Sequence, residues 1–390
     1  MVIDELRRLQ AAHGYLPRAA LEALSAETRI PLDELYGVAS FYPLFRFTPR
    51  QGPELKVCRD LPCRLAGSAL LLADCQAAAA RAPRSVTVTP VSCLGLCDTA
   101  PAVAIDDETY TQVDPGAGGA LVAGLREGRS IACRVAPPPV LSFAGGDGAA
   151  DPARYDFGVL ERVVAGSPAG RAEVIATLKA AGLRGLGGAG FPTGTKWEIV
   201  AGAPGDRKYA VCNADESEPG TFKDRALLEG APHLVLEGLL LAAAVTGASE
   251  AIVYLRHEYR RAHEALERTI HLLEGRGLAG EGSKSGVRLR VFESPGGYIC
   301  GEETALLEAL EGKRAEPRNK PPYPGTHGLH GRPTVINNVE TLAFVPPILR
   351  HGPEWYRSVG ANGSAGRKLL ALSGDVARPG VYEVPLGISA

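Results

Sequence analysis

Cys58-Arg-Asp-Leu-Pro-Cys63 and, further along, Cys93-Leu-Gly-Leu-Cys97 are the stretches from which this chain is best read. The strand-like Leu55-Lys-Val-Cys58 runs into the first pair. An apolar, alanine-rich segment from Ala66 to Ala82 has helical character, and the β-branched run Ser85-Val-Thr-Val-Thr-Pro-Val-Ser92 leads into the second pair. Ala102-Val-Ala-Ile-Asp106 and Thr109-Tyr-Thr-Gln-Val113 then predict a hairpin turning at Asp106-Asp107. Both pairs therefore belong on loops at strand ends of a small α/β unit. Paired thiolates select zinc or an iron–sulfur cluster. The C-x4-C and C-x3-C spacings differ from the tighter knuckle of structural zinc, and no histidine joins the pattern. A [2Fe–2S] cluster held by Cys58, Cys63, Cys93 and Cys97 fits best, with zinc, a disulfide pair and buried free thiols as the other readings. Disulfides need an oxidising compartment, whereas Met1-Val-Ile-Asp-Glu-Leu-Arg-Arg enters a charged amphipathic helix and not a leader peptide. Cys75, Cys133, Cys212 and Cys300 read as ordinary buried cysteines.

Outward from the cysteines, the N-terminal 50 residues predict three short helices: Asp4 to His13, Pro17 to Leu24, and one from Pro31. Residues 134–156 mix proline and glycine with few periodic apolar residues and read as a linker. A second domain begins near Tyr155. It carries a helix from His233 to Thr246, a strand Glu250–Leu255, a helix Tyr259–Gly275 and a strand Val287–Phe292, an alternation that implies a layered α/β sheet. The text becomes β-like from Lys368 and stops at Ala390, as if a third domain were cut short. The 390 residues give room for two to three domains. A net charge of −2 offers no basic field for nucleic acid or an anionic membrane. The longest apolar run, His233 to Val245, contains Glu237 and is too short to span a bilayer. These features predict a cytoplasmic protein without a membrane span.

Gly185-Leu-Gly-Gly-Ala-Gly190 satisfies G-x-G-x-x-G, but the residues before it, Arg171 to Gly182, read as helix where the dinucleotide fingerprint requires a strand. Phe191-Pro192 after it is not a helix interior. The loop can still cradle a phosphate through bare backbone N–H groups, with Lys196 to neutralise it; a plain tight turn is the other reading. Asn213-Ala-Asp-Glu-Ser-Glu-Pro-Gly220 follows a strand, Lys208–Cys212, and gathers Asp215, Glu216 and Glu218. It is either a solvated acidic loop or a set of acceptors for ribityl or ribose hydroxyls. Gly296-Gly-Tyr-Ile-Cys-Gly-Glu-Glu303 is a second glycine-rich turn entering a helix, Thr304–Glu311, where Glu302 and Glu303 either meet the helix dipole or face a ligand. Lys313 to Tyr323 is basic and ends on a stiff Pro-Pro-Tyr, and Ile336-Asn-Asn-Val-Glu-Thr341 offers two adjacent amides.

Assembled, these motifs resemble the NADH-binding flavoprotein subunit of respiratory complex I, a module shared with NAD-linked formate dehydrogenases and bidirectional hydrogenases. The match runs over residues 155–390 and rests on Gly185–Trp197, Asn213–Asp224, Tyr298–Leu306 and Ile336–Thr341. Residues 1–130, through Tyr36-Gly-Val-Ala-Ser-Phe-Tyr42 and the four cysteines, resemble the thioredoxin-like [2Fe–2S] subunit that partners it. The resemblance implies an α/β fold in four parts. These are a helical segment and thioredoxin-like domain over 1–133, a linker at 134–154, an FMN- and NADH-binding domain over 155–350, and a connection opening a truncated β-grasp domain over 351–390.

It further implies that Gly185, Gly187, Gly188, Gly190 and Lys196 hold the FMN phosphate. Asn213, Asp215, Glu216, Tyr298, Gly301, Asn337 and Asn338 would contact flavin and ribityl. Glu218, Glu302 and Glu303 would face nicotinamide, and Phe191, Lys320 and Tyr323 would contact NADH, with Tyr323 stacking on adenine. Hydride passes to the flavin, and electrons leave singly to the iron–sulfur subunit of a larger redox complex, peripheral on the inner membrane face. The alternative is a non-catalytic relay or assembly subunit that keeps the fold. Departures are Ile199, where relatives often carry an aromatic, Leu186 in place of an Arg common in complex I proteins, and Ser294-Pro295 with Gly297 before Tyr298. The family's C-terminal [4Fe–4S] cysteine motif is absent from this sequence.

Overall fold

The computed structural model describes residues 2–81, 86–106, 108–127 and 151–389. Asp107, Cys133, the expected boundary at 133 and the expected linker through residue 150 lie outside them. In the cysteine-bearing part, β1 (Glu54–Cys58) pairs parallel with β2 (Thr87–Val91) and antiparallel with β3 (Val103–Ile105), which pairs with β4 (Glu108–Tyr110). The parallel β1–β2 pair requires a crossover. The helix Ser68–Ala80 makes it, burying Leu71 and Cys75 against Leu55, Val57, Val103 and Leu121. That helix starts two residues later than the sequence predicts. Gly67, at φ +93°, separates it from a short helix, Leu61–Leu65, that carries Cys63.

Further along, β5 (Tyr209–Ala214), β6 (Glu250–Arg256), β7 (Arg288–Ser294) and β8 (Thr334–Asn338) form an all-parallel sheet in the order β7-β6-β5-β8. A parallel sheet needs both faces covered, and the two faces differ in side-chain size. Ala210, Cys212 and Ala214 of β5 and Ala251 and Val253 of β6 face the helix Pro232–Thr246, which is buried along its whole length. Gly238 is obligatory there, because an added Cβ would lie 2.2 Å from the Leu342 carbonyl oxygen on the crossing helix Val339–His351. Tyr209, Val211, Ile252, Tyr254 and Phe292 line the opposite face.

That opposite face is covered by the N-terminal helices Val2–His13, Arg18–Thr28 and Leu32–Phe41, through Ile3, Leu6, Leu21, Leu35 and Val38. They lie beside the thioredoxin-like residues in sequence but share a core with the second sheet. Two antiparallel strands, β9 (Arg367–Leu372) and β10 (Gly380–Pro385), close the described chain, and Leu369 anchors them to the large core. No single described helix is long and apolar enough to cross a membrane.

Candidate functional site

Strand order reverses about β5: the chain steps outward to β6 and β7, then returns to place β8 on the other side of β5. In open α/β sheets, ligands bind at the carboxyl ends of the strands flanking such a switch. Here those ends carry Asn213, Asp215, Asn337 and Asn338. Asn213 lies inside β5, which runs two residues further than the sequence predicts.

The glycine loop folds over this crevice. It is closed by Gly185 N–H donating to Phe191 O at 2.9 Å, and by Thr193 N–H donating to Leu183 O at 2.9 Å. The helix Pro168–Ala181 precedes it, so the ordinary fingerprint context is indeed missing. A helix nevertheless follows at once, Thr193–Gly202, with Pro192 at its N-cap. Proline suits that boundary because the first helical N–H groups have no intrahelical partner. Gly187 sits so close to Asn338 that a Cβ would lie 2.9 Å from the Asn338 Cβ, while Gly188 and Gly190 have φ +128° and +65°.

Lys196 projects from that helix into the crevice, where its Nζ donates to Ile336 O at 2.9 Å. Burial pushes its pKa down, Lys320 adds to the effect and Glu303 opposes it. Asp215 is buried, and its Oδ2 has no hydrogen-bond partner. Burial raises its pKa against the opposing pull of Ser217 and Arg256. A half-buried ammonium, an unpartnered carboxylate oxygen and a glycine loop in which Gly187 has no room for a Cβ and Gly188 and Gly190 take positive φ suit a phosphate-bearing polar ligand such as FMN.

The other expected residues separate into free and committed groups. Asn213 Nδ2 donates to Gly301 O at 2.8 Å, and Trp197 Nε1 donates to Asn337 Oδ1 at 2.9 Å. Asn338 Nδ2 donates to Asp224 Oδ2 at 2.6 Å, while its Oδ1 caps Glu340 N. Glu218 accepts from the exposed Tyr298 hydroxyl. Lys320 bridges Glu302 and Glu303 at 3.0 and 2.7 Å. Phe191, Ile199 and Tyr323 are exposed, presenting apolar surface.

Two of the expected residues also hold helix ends. Glu216 is one of them. Its two oxygens accept from Asp224 N (2.9 Å) and Arg225 N (3.1 Å), capping the helix Lys223–Gly230, and Tyr259 OH adds a third bond. Burial and Asp224 raise its pKa to about 7. Glu302 is the N-cap of the helix Glu303–Leu310, accepting from Thr304 N and Ala305 N at 2.8 and 2.9 Å. It therefore fixes the end of that helix as well as facing Lys320.

The four cysteines are free and buried. Cys93 Sγ and Cys97 Sγ stand 3.3 Å apart, too far for the covalent bond of a disulfide. Cys58 and Cys63 form a second interacting pair that also senses the first. Among the described residues no three or more potential ligands converge as one ion would need. Two thiol pairs suit a two-iron cluster, one pair per iron, better than a single tetrahedral zinc. The Cys93 thiol is pulled down, first by its hydrogen bond with Cys97, with Arg256 contributing. Sequence reasoning missed what holds this loop: Arg225, Arg256, Phe222 and Tyr259, all from the flavin-side fold.

A crevice whose residues fit a flavin, in a chain that also holds four cysteines in two thiol pairs, is the arrangement of a flavin and iron–sulfur electron-transfer protein. Residues 178–347 match the family described as the Nuo51 FMN-binding domain, and residues 1–126 match the thioredoxin-like [2Fe–2S] ferredoxin. The chain is 36% identical over 425 residues to the NAD-reducing hydrogenase HoxS subunit alpha of Cupriavidus necator, covering 100% of this chain and 68% of that one. It is 52% identical over 220 residues to an NADH-quinone oxidoreductase subunit of Rhizobium meliloti, covering 56% of this chain and 52% of that protein. A crystal structure of NAD+-reducing [NiFe]-hydrogenase in the air-oxidized state superposes with a TM-score of 0.86 at 36% identity, over 98% of this chain and 67% of that chain. The chain thus spans about two thirds of its hydrogenase relative and about half of the quinone-oxidoreductase relatives. It belongs to the family of NADH-linked FMN flavoproteins, here fused to the thioredoxin-like [2Fe–2S] ferredoxin, and is an NAD-linked oxidoreductase module carrying FMN and a [2Fe–2S] cluster.

Proposed function

We propose that this chain is the diaphorase module of a larger redox complex, exchanging a hydride between NADH and FMN and single electrons with iron–sulfur centres. The observation that carries this is the placement of Lys196 and the glycine wall at the β5–β8 switch point, with the cluster loop seated against the segment leaving β5. FMN, when bound, supplies the step between two-electron and one-electron chemistry. The protein's part is orientation and electrostatics. Lys196, Gly185, Gly187, Gly188 and Gly190 hold the phosphate. Asn213, Asp215, Asn337, Asn338, Gly301 and the Tyr298 backbone position the ring and ribityl chain. Glu218, Glu302, Glu303 and Lys320 form a charged rim for the nicotinamide half, and Phe191, Ile199 and Tyr323 provide apolar surface for adenine.

The partner we infer is an iron–sulfur subunit of a multisubunit complex, as the relatives' names describe subunits of such assemblies. Residues 351–390 are read as the connection into a β-grasp domain, of which β9 and β10 are the described part. The assignment is tested by loading the protein with FMN and adding NADH anaerobically. Bleaching of the flavin, and NADH-dependent ferricyanide reduction, support it; an unbleached flavin rejects it.

A further inference from the structure

The Cys93–Cys97 loop is gripped from the flavin side at several points. Gly220 N–H donates to Cys97 Sγ at 3.4 Å, so the loop that leaves β5 supplies a hydrogen bond to a cluster thiol. Arg225 donates to Gly95 O at 2.8 Å and binds Asp98 through both carboxylate oxygens at 2.9 Å. Gly95, at φ +73°, packs directly on Tyr259, leaving 2.4 Å between an added Cβ and the ring edge.

Arg256, the last residue of β6, joins the two sites. One Nη donates to Cys93 O at 2.6 Å, the other to Glu216 O at 2.5 Å, and the remaining donors meet Glu258 at 3.0 and 3.1 Å. The Arg256 side chain is only 5% exposed. A single planar fork thus ties the cysteine loop to the loop carrying Asp215 and Glu218, a geometry that lysine's point charge cannot reproduce.

We infer that Arg256, held by Glu258, is a positioning residue through which the flavin-side fold sets the reduction potential of the cluster at Cys58, Cys63, Cys93 and Cys97. A cluster held by these cysteines would take one electron at iron, making the site more negative by one charge. A fixed guanidinium in a poorly solvated setting favours this charge, since its field is weakly screened there. Glu258 opposes it with the other sign. Arg225 and Asp98 form a pair of their own and stay constant. The inference rests on the cluster reading above.

The test is an EPR-monitored redox titration of the cluster- and FMN-loaded protein. Arg256→Met with Glu258→Gln removes the charged pair together and should move the midpoint negative by at least a tenfold change in the reduced-to-oxidised ratio, which is about 59 mV for one electron. Glu258→Gln alone leaves the guanidinium uncompensated and should move it positive. Arg256→Lys keeps the charge and should stay nearer the parent than the double variant does.

Opposite signs separate an electrostatic role from loosening, which would shift both variants alike. Shifts of one sign, or no shift with parental iron content, overturn the inference. If the double variant retains no iron, the sign for Glu258→Gln decides alone, and absence of a positive shift overturns it. In cluster-free protein, amide exchange at Gly95 and Gly220 should accelerate in the double variant; parental exchange rates would contradict the stapling role. A parent protein that takes up no iron would fail the cluster assignment itself, a separate outcome.

Discussion

Replacing Gly187 by alanine tests whether the glycine wall holds the flavin. The new Cβ would lie 2.9 Å from the Asn338 Cβ and 3.3 Å from its Cγ. Carbon atoms pack at about 3.5–4.0 Å, so one side must retreat by roughly 0.6–1.1 Å. Asn338 cannot easily do so. Its amide nitrogen is held by Asp224 at 2.6 Å and its oxygen caps Glu340 N at 3.0 Å. The loop must therefore move, and overpacking of this kind costs about 1–3 kcal/mol. If the ligand needs the loop where it now stands, that cost appears as roughly 5- to 150-fold weaker FMN binding. Quenching of FMN fluorescence on titration into apoprotein measures this, beside thermal melting of the apoprotein. Gly170→Ala, in the helix Pro168–Ala181 with nothing within 4 Å of the added methyl, is the control and should bind as the parent does. A Gly187→Ala protein that melts like the parent and binds FMN with parental affinity would refute the reasoning.

Tyr323→Ala removes an exposed ring expected to stack on adenine, so KM for NADH should rise, corresponding to about 1–3 kcal/mol, with little change in kcat; an unchanged KM places adenine elsewhere. Glu303→Gln is a cleaner probe of the charged rim than Glu302→Gln, because Glu302 also caps a helix. It should slow flavin bleaching by NADH while leaving the melting temperature within about a degree, as surface changes of ±0.5 kcal/mol do. Cys93→Ser should abolish the EPR signal of the reduced cluster while FMN remains bound, read by EPR and flavin release; a persisting signal would remove Cys93 from the ligand set. Burial alone would raise the pKa of Glu258, but Arg256 and His257 outweigh it and hold the carboxyl at about 2. Its folded pKa lies below the unfolded value, so its contribution is complete above about pH 4.5 and is lost as pH falls toward 2. Glu258→Gln should therefore flatten the fall in melting temperature between about pH 5 and 3, and an unchanged slope would contradict that assignment.

Much of the site was legible because its chemistry is local in sequence. The two cysteine pairs, the glycine run with Lys196 and the Asn337-Asn338 pair each declare themselves within a few residues, and the alternation of apolar runs gave the layered sheet. What escaped is long-range. Arg256, one residue past the strand read at Glu250–Leu255, and Arg225 belong to no motif, yet they meet Cys93 and Gly95 across 163 and 130 residues. Glu216 sits in a run of three carboxylates that look equivalent, and only the position of the helix Lys223–Gly230 turns it into a cap. The N-terminal helices have an apolar stripe that reveals burial but not against which sheet. Their core with Tyr209, Val211 and Tyr254 is set by tertiary packing. The glycine loop's true context, a helix on each side, was half readable. Gly182 announces the end of the preceding helix at φ +70°, while Pro192 at an N-cap looks like a breaker until the next turn is seen.

The most direct test of the account is anaerobic stopped-flow mixing of NADH with protein carrying FMN and the reconstituted cluster, followed by rapid-freeze EPR. Flavin absorbance should fall on mixing and, with a reductant poise low enough to reduce the cluster, an EPR signal should appear that needs all four of Cys58, Cys63, Cys93 and Cys97. Flavin that stays oxidised under excess NADH in protein of full FMN content would contradict it.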